Sequence, residues 1–146
     1  MQQEYTHLIG HRFPGGTYTL PEWLCWLWSD TAELPADEHV AHPALAYFVA
    51  MQGVGVSIQE IFDLMDATAE SGVMFGECKL IWRRPLTPGA TYSCEGRIID
   101  VERKQGRRAG VFDKMSFEVT MREQGQAEPA AECVNTWVFP RGMGES

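Results

Sequence analysis

The chain has 146 residues, with 20 Asp and Glu against 12 Lys and Arg, and a formal net charge of −8. That length suits one domain spanning residues 1–146, and an apolar content of 45% is ample for a packed core and too high for a disordered chain. Net acidity excludes a duplex nucleic-acid binder, which needs a positive footprint, and disfavours adhesion to anionic lipid.

In chain order, Gly15 and Gly16 followed by Thr17, Tyr18 and Thr19 predict a short strand leading into a helix. Thr19 with Glu22 has the form of a capping box, and Pro21 is tolerated in a first turn. The helix would carry Trp23, Leu24, Trp26, Leu27 and Trp28 and end near Thr31. Trp23 and Trp26 share a side and Trp28 does not, so one side is expected to meet the core and the other a second subunit. Residues 33–41 read as an acidic loop. Ala44 to Met51 are eight consecutive apolar positions. They predict a helix apolar on all sides and therefore surrounded by protein, with Pro43 in its first turn and Gly53 and Gly55 interrupting it. Ser57 with Glu60 forms a second capping box and restarts a helix to about Ala67.

The period then changes. Val111, Met115, Phe117, Val119 and Met121 alternate with polar residues, as in a half-buried antiparallel strand, and residues 130–139 alternate likewise. Residues 73–83 and 91–102 are also strand-like. Turn chemistry at 84–90, 104–108 and 123–129 connects four long strands, expected as a meander. A flat sheet covers one side of an apolar helix only, so this sheet is expected to curl around it.

Charge and motifs narrow the function. Residues 1–70 hold ten acids and one base, Arg12, whereas residues 71–146 hold ten acids and 11 bases. Cys25, Cys78, Cys94 and Cys133 form no CxxC pair and no His/Cys cluster has zinc spacing, so buried reduced thiols and no metal are expected. The opening MQQEYTHLIG lacks a basic region followed by an apolar run, and no apolar run approaches the ~20 residues of a membrane span. A cytoplasmic location is the expectation. The P-loop, dinucleotide glycine motif, GxSxG elbow and HExxH are absent.

HLIGHRFPGGTYTL, VAHPALAYFVAMQG and IWRRPLTPGATYSCEGRIIDVERKQGRR, within residues 7–140, resemble the MaoC-like branch of hotdog proteins, the acyl-CoA hydratases and dehydratases. The Arg84-Pro85 segment and the Pro88-Gly89 turn match the strand that follows the central helix in that family. The resemblance implies an α+β hotdog fold, an antiparallel sheet wrapped around a central apolar helix. It also implies an acyl-CoA thioester substrate, no cofactor beyond coenzyme A as part of that substrate, and a homodimer or heteromer with another hotdog subunit, the sheets joined edge to edge.

Active members carry an Asp and a His five positions apart, with Asn and Pro between. Asp37 and His42 have that separation, but Glu38, His39, Val40 and Ala41 stand between them and His42 abuts the helix directly. In a second register VAHPALA resembles the helix start of the non-catalytic half of two-domain members. The two registers exclude each other. In the first, Asp37 and His42 divide the work of base and acid, His39 is a third proton carrier, and main-chain N–H groups at the helix start stabilise the enolate-like oxygen. In the second, the loop acids are solvated and His42 satisfies local hydrogen bonds.

Arg83, Arg84, Arg103, Lys104, Arg107 and Arg108 either gather at one end of the sheet to hold coenzyme A phosphates or are charged turns that keep strand ends soluble. Gly72, Phe75 and Gly76 either shape an acyl tunnel or begin a strand. Asn135 and Asp113 fall on apolar-facing registers and either are buried polar groups in need of partners, the leading expectation, or line an acyl tunnel. The leading expectation is an enoyl-CoA hydratase or 3-hydroxyacyl-CoA dehydratase, or a subunit of one. The alternatives are a non-catalytic partner subunit, a hotdog thioesterase using Asp37 or Glu38 to activate water, and a protein that binds acyl-CoA or lipid without chemistry.

Overall fold

Residues 4–142 are described by the computed structural model. The first three residues, part of the N-terminal segment read above, and the last four of the 1–146 domain lie outside the described residues. A 3-10 turn (Thr6–Leu8) precedes β1 (Gly16–Thr19), α1 (Glu22–Thr31), α2 (Leu45–Gly53) and α3 (Ile58–Leu64). A second 3-10 turn (Ala69–Ser71) leads to β2 (Met74–Trp82), β3 (Thr91–Gly106), β4 (Gly110–Glu123) and β5 (Ala131–Pro140).

The strands form one antiparallel sheet in the order β1-β3-β4-β5-β2. The expected four-strand meander is corrected here. Only β3, β4 and β5 follow one another, and β2 lies beyond β5 at the far edge. The reason is that β3 has no free side for β2: β1 occupies one (Gly16 opposite Cys94 to Thr19 opposite Thr91) and β4 the other. The hairpin is also longer than its alternation suggested, because β3 runs 16 residues and β4 14, which takes Arg103 and Lys104 out of the turn and into the strand.

The apolar helix α2 packs against β1, β3, β4 and β5, as a sheet curled around it requires. Leu45, Ala46, Val49 and Ala50 are fully buried there. The expectation of burial on every side is too strong, since Tyr47, Phe48 and Met51 on the opposite side are only half-buried. Contact with the sheet is close enough that a Cβ on Gly53 would collide with the Cys94 sulfur. At α3 the capping box forms as read: Ser57 Oγ accepts from the Glu60 N–H (3.1 Å) and Glu60 Oε2 accepts from the Ser57 N–H (2.7 Å). At α1 it does not. Pro21 takes the cap position without a side-chain bond, while Thr19 stays in β1 with its hydroxyl 2.7 Å from that of Thr91. Cys25, Cys94 and Cys133 are buried free thiols, but Cys78 is exposed because its strand is at the edge.

Candidate functional site

Three regions contain the residues singled out above, and they are separate. The first is the approach to α2. Asp37 is exposed, and its Oδ1 accepts the N–H groups of His39 (2.8 Å) and Val40 (3.1 Å). These bonds, that of His39 foremost, hold its carboxyl below the usual carboxylate value, which weakens it as a base. The half-buried His42 turns its Nδ1 to the Ala44 N–H (3.1 Å), and its ring lies 5.9 Å from that of Trp28. No hydrogen bond joins Asp37 to His42 among the described residues.

The free donors expected at the start of α2 are also accounted for. The Ala44 N–H goes to His42 Nδ1, that of Leu45 to the His42 carbonyl (3.0 Å), that of Ala46 to the Pro43 carbonyl (3.1 Å) and that of Tyr47 to the Ala44 carbonyl (3.2 Å). Pro43 has no N–H to give. A helix start normally leaves about four donors open. Here a tight turn and an imidazole take those of residues 44–47.

Residues 36–43 divide two pockets. On the α1 side, Ala36 to His39 wall a pocket of about 470 Å³ together with Glu22, Cys25, Trp26, Ser29 and Pro88. On the β2 side, Val40, Ala41 and Pro43 wall a largely apolar pocket of about 350 Å³ with Trp82, Arg83, Arg84, Pro85 and Leu86. Trp82 Nε1 donates to the Pro43 carbonyl (2.9 Å), which ties the end of β2 to the start of α2. Both volumes suit a small ligand. Asp37 and His39 open into the first, Arg83 and Arg84 into the second, and His42 lines neither.

Gly72, Phe75 and Gly76 sit at the other end of β2, Phe75 about 27 Å from Arg83 at the rise of a strand. Gly72 closes the 3-10 turn in a left-handed conformation (φ 78°), and Phe75 and Gly76 belong to β2 at its bulge. They line neither pocket beside residues 36–43. Phe75 is exposed and meets the ring of Tyr47 edge-on at 6.1 Å, beside a groove of about 520 Å³ between α2 and α3 lined by Tyr47, Phe48, Met51 and Ile58 among others.

The expected single basic cluster is likewise corrected. Trp82 pairs with Ala131 and Ala131 with Met121, whereas the β3–β4 turn lies beyond the pairing of Phe112 with Pro140. Arg83 and Arg84 are therefore at one end of the sheet and Arg107 and Arg108 at the other, roughly 30 Å away along β4. Arg103 binds inward, its Nε and Nη2 reaching the two carboxylate oxygens of Asp113 at 2.9 Å each, and Arg141 adds a third bond at 2.7 Å. Arg83 pairs with Glu132 (3.1 Å) at the surface. Asp113 and Asn135 are buried, as expected. The Asn135 amide nitrogen reaches the sulfurs of Met51 and Cys133 at 3.5 Å.

A five-stranded antiparallel sheet wrapped around an apolar helix, with pockets at that helix's start and along its outer side, defines a hotdog fold. Residues 8–131 match the family model described as FAS1-like, dehydratase domain region, and the chain belongs to that family. Similar solved structures include the ChsH1-ChsH2 complex from Mycobacterium tuberculosis (17% identity, TM-score 0.68, 97% of this chain and 91% of that one). The C-terminally truncated HadBC (3R-hydroxyacyl-ACP dehydratase) complex of the same organism is 14% identical (TM-score 0.64, 90% and 96%). A MaoC-like dehydratase from Phytophthora capsici is also 14% identical (TM-score 0.70), covering 99% of this chain and 52% of that one. At these identities the likeness concerns the fold. No curated protein sequence matches the chain significantly.

Proposed function

We propose that this chain is a subunit of an acyl-thioester hydro-lyase, one that completes the acyl site of a partner hotdog subunit and does not turn over substrate alone. The observation that carries the reading is the start of α2. Hydration of an enoyl thioester needs a base, an acid and donors for the developing oxyanion. Here His42 Nδ1 accepts the Ala44 N–H, the N–H groups of residues 45–47 go to the carbonyls of His42, Pro43 and Ala44, and Asp37 is an exposed, weakened base. This favours the second register, with His42 capping a helix.

Two features support a partner. Among the described residues β2 is hydrogen-bonded on one side only, and Met74, Phe75 and Trp82 along it are exposed. An unpaired edge strand of this kind is a template for another strand. The half-covered side of α2 and its groove lie beside the same strand through the Phe75–Tyr47 contact, so an acyl chain lodged there would be closed off by the partner. Arg83 and Arg84, flanking the pocket at the far end of β2, are the proposed contacts for coenzyme A phosphates. Heteromeric hotdog complexes among the similar structures support the same reading.

The test is hydration of crotonyl-CoA and longer enoyl-CoAs, followed by loss of enone absorbance, for the chain alone and with a co-expressed hotdog subunit. The expected result is turnover only in the pair, unchanged by His42→Ala. Turnover by the chain alone that disappears in His42→Ala or Asp37→Asn would restore the autonomous dyad. Release of free coenzyme A thiol in place of hydration would show a thioesterase.

A further inference from the structure

One surface is not used by this reading and lies on a different element from the β2 edge. On α1, Trp23 and Leu27 form one exposed stripe and Glu22, Trp26 and Asp30 the next, each at a spacing of four. Trp23 and Trp26 are 65% and 60% exposed, well beyond what a helix turned to its own core shows. Cys25, Leu24 and Trp28 already serve the core from the other side.

Around Trp26 the charge has one sign. Glu22 and Asp30 flank it along the helix, and Asp37 and Glu38 face it across the 470 Å³ pocket. Among the described residues no Lys or Arg lines that pocket, and residues 13–78 contain ten acids and neither Lys nor Arg. An exposed indole lining a pocket together with Glu22, Asp37, Glu38 and the imidazole of His39 fits a guanidinium or ammonium group, which an indole attracts through its quadrupole and the carboxylates through charge. Trp23 and Leu27 beside it offer apolar area that a small free cation would not use.

We infer that the exposed face of α1 docks a protein partner through a basic, apolar-flanked segment, which places an Arg or Lys side chain in the pocket between Trp26 and the 36–39 loop. The opposite charge of the occupant follows from the uniform sign of the site, and its being a protein segment follows from the apolar stripe outside the pocket. The docking face shares no residue with the β2 edge or the α2 groove, and Asp37, the one residue it shares with the hydro-lyase reading, has no catalytic role in that reading.

The test uses the full chain and synthetic peptides alternating Arg with Leu or, as control, Gln with Leu, with binding read from tryptophan fluorescence and calorimetry. The Arg-Leu peptide is expected to bind, with at least a tenfold loss in Trp26→Ala and in Asp37→Asn/Glu38→Gln, at least a threefold loss in Trp23→Ala/Leu27→Ala, and a loss with added salt. All these side chains are exposed, and far-UV circular dichroism verifies that each variant folds. Equal binding of the Gln-Leu peptide, or unchanged affinity in Trp26→Ala, would overturn the proposal. Binding of spermidine as tightly as the peptide, insensitive to Trp23→Ala/Leu27→Ala, would replace the protein segment with a small polycation. A drop in sedimenting mass of the chain alone in Trp26→Ala would make the occupant a second copy and also overturn it.

Discussion

Replacing Asp113 with Asn removes a buried carboxylate held by two arginines. The side chain is 1% exposed and accepts three charge-assisted bonds, two from Arg103 and one from Arg141. Arg141 also lies 4.5 Å above the ring of Tyr5, whose hydroxyl donates to Asp66 at 2.8 Å, so the cluster ties both ends of the chain to the β3–β4 hairpin. An Asn keeps the shape but turns an N–H₂ toward guanidinium donors and removes the carboxylate charge that Arg103 and Arg141 share. Breaking a buried pair in this way costs about 3–5 kcal/mol. Arg103 and Arg141 retain 20% and 12% exposure, which places the expected loss near the lower end, ~3 kcal/mol, or roughly 6–12 °C in Tm.

The pH dependence provides a second measure. Burial pushes the Asp113 carboxyl up, but the hydrogen bonds and charges of Arg103 and Arg141 outweigh it and hold the group below its ordinary value. A lowered folded value means a contribution complete above ~4, the unfolded Asp value, and lost as pH falls through the folded one. Urea unfolding of both proteins from pH 7 to pH 2.5 should therefore show a gap that is widest at neutrality and shrinks in acid. A gap below ~1 kcal/mol at pH 7, or one constant down to pH 2.5, would refute the reasoning. Simultaneous replacement of Arg103, Asp113 and Arg141 by apolar residues should recover much of the loss.

Three further outcomes follow from local geometry. Gly53→Ala improves helix propensity by about 1 kcal/mol, but its methyl collides with the Cys94 sulfur, and overpacking of about 1–3 kcal/mol should leave a net loss in thermal melts. Glu33 adopts a left-handed conformation (φ 55°) on an exposed turn, so Glu33→Gly should raise stability by up to about 1 kcal/mol in urea unfolding. In the native protein a disulfide reagent at pH 8 should label Cys78 first. Burial pushes the Cys94 thiol up to about 11 and raises that of Cys133, so rapid labelling of either, located by mass spectrometry, would contradict their burial.

The strands whose faces differ were legible in the sequence. β4 and β5 alternate because one side meets α2 and the other does not. β2 gives no such signal, since most of MFGECKLIW is exposed on both faces, and its partner is set by a register that no local pattern encodes. The Arg103–Asp113 bond had a signal that was available: a hairpin in which Gly106 faces Gly110 places Arg103 opposite Asp113. Reading Arg103 as part of a turn concealed it. At the candidate site, the spacing of Asp37 and His42 was visible, but the bonds each makes to its own backbone were not. Spacing shows which side chains are able to meet, and the path of the intervening chain decides whether they do.

The position of β2 also governs the order in which the molecule can assemble. Arg83 and Glu132, which pair across β2 and β5, are 49 positions apart, while β3, β4 and β5 each have a neighbour one turn away. Loop-closure entropy makes such a pairing late and folding correspondingly slow. During synthesis the apolar α2 leaves the ribosome well before β3, β4 and β5 exist to receive it. The nascent chain thus passes through a stage in which its greasiest segment is uncovered, and chaperone dependence should be set by how quickly the last strand is completed.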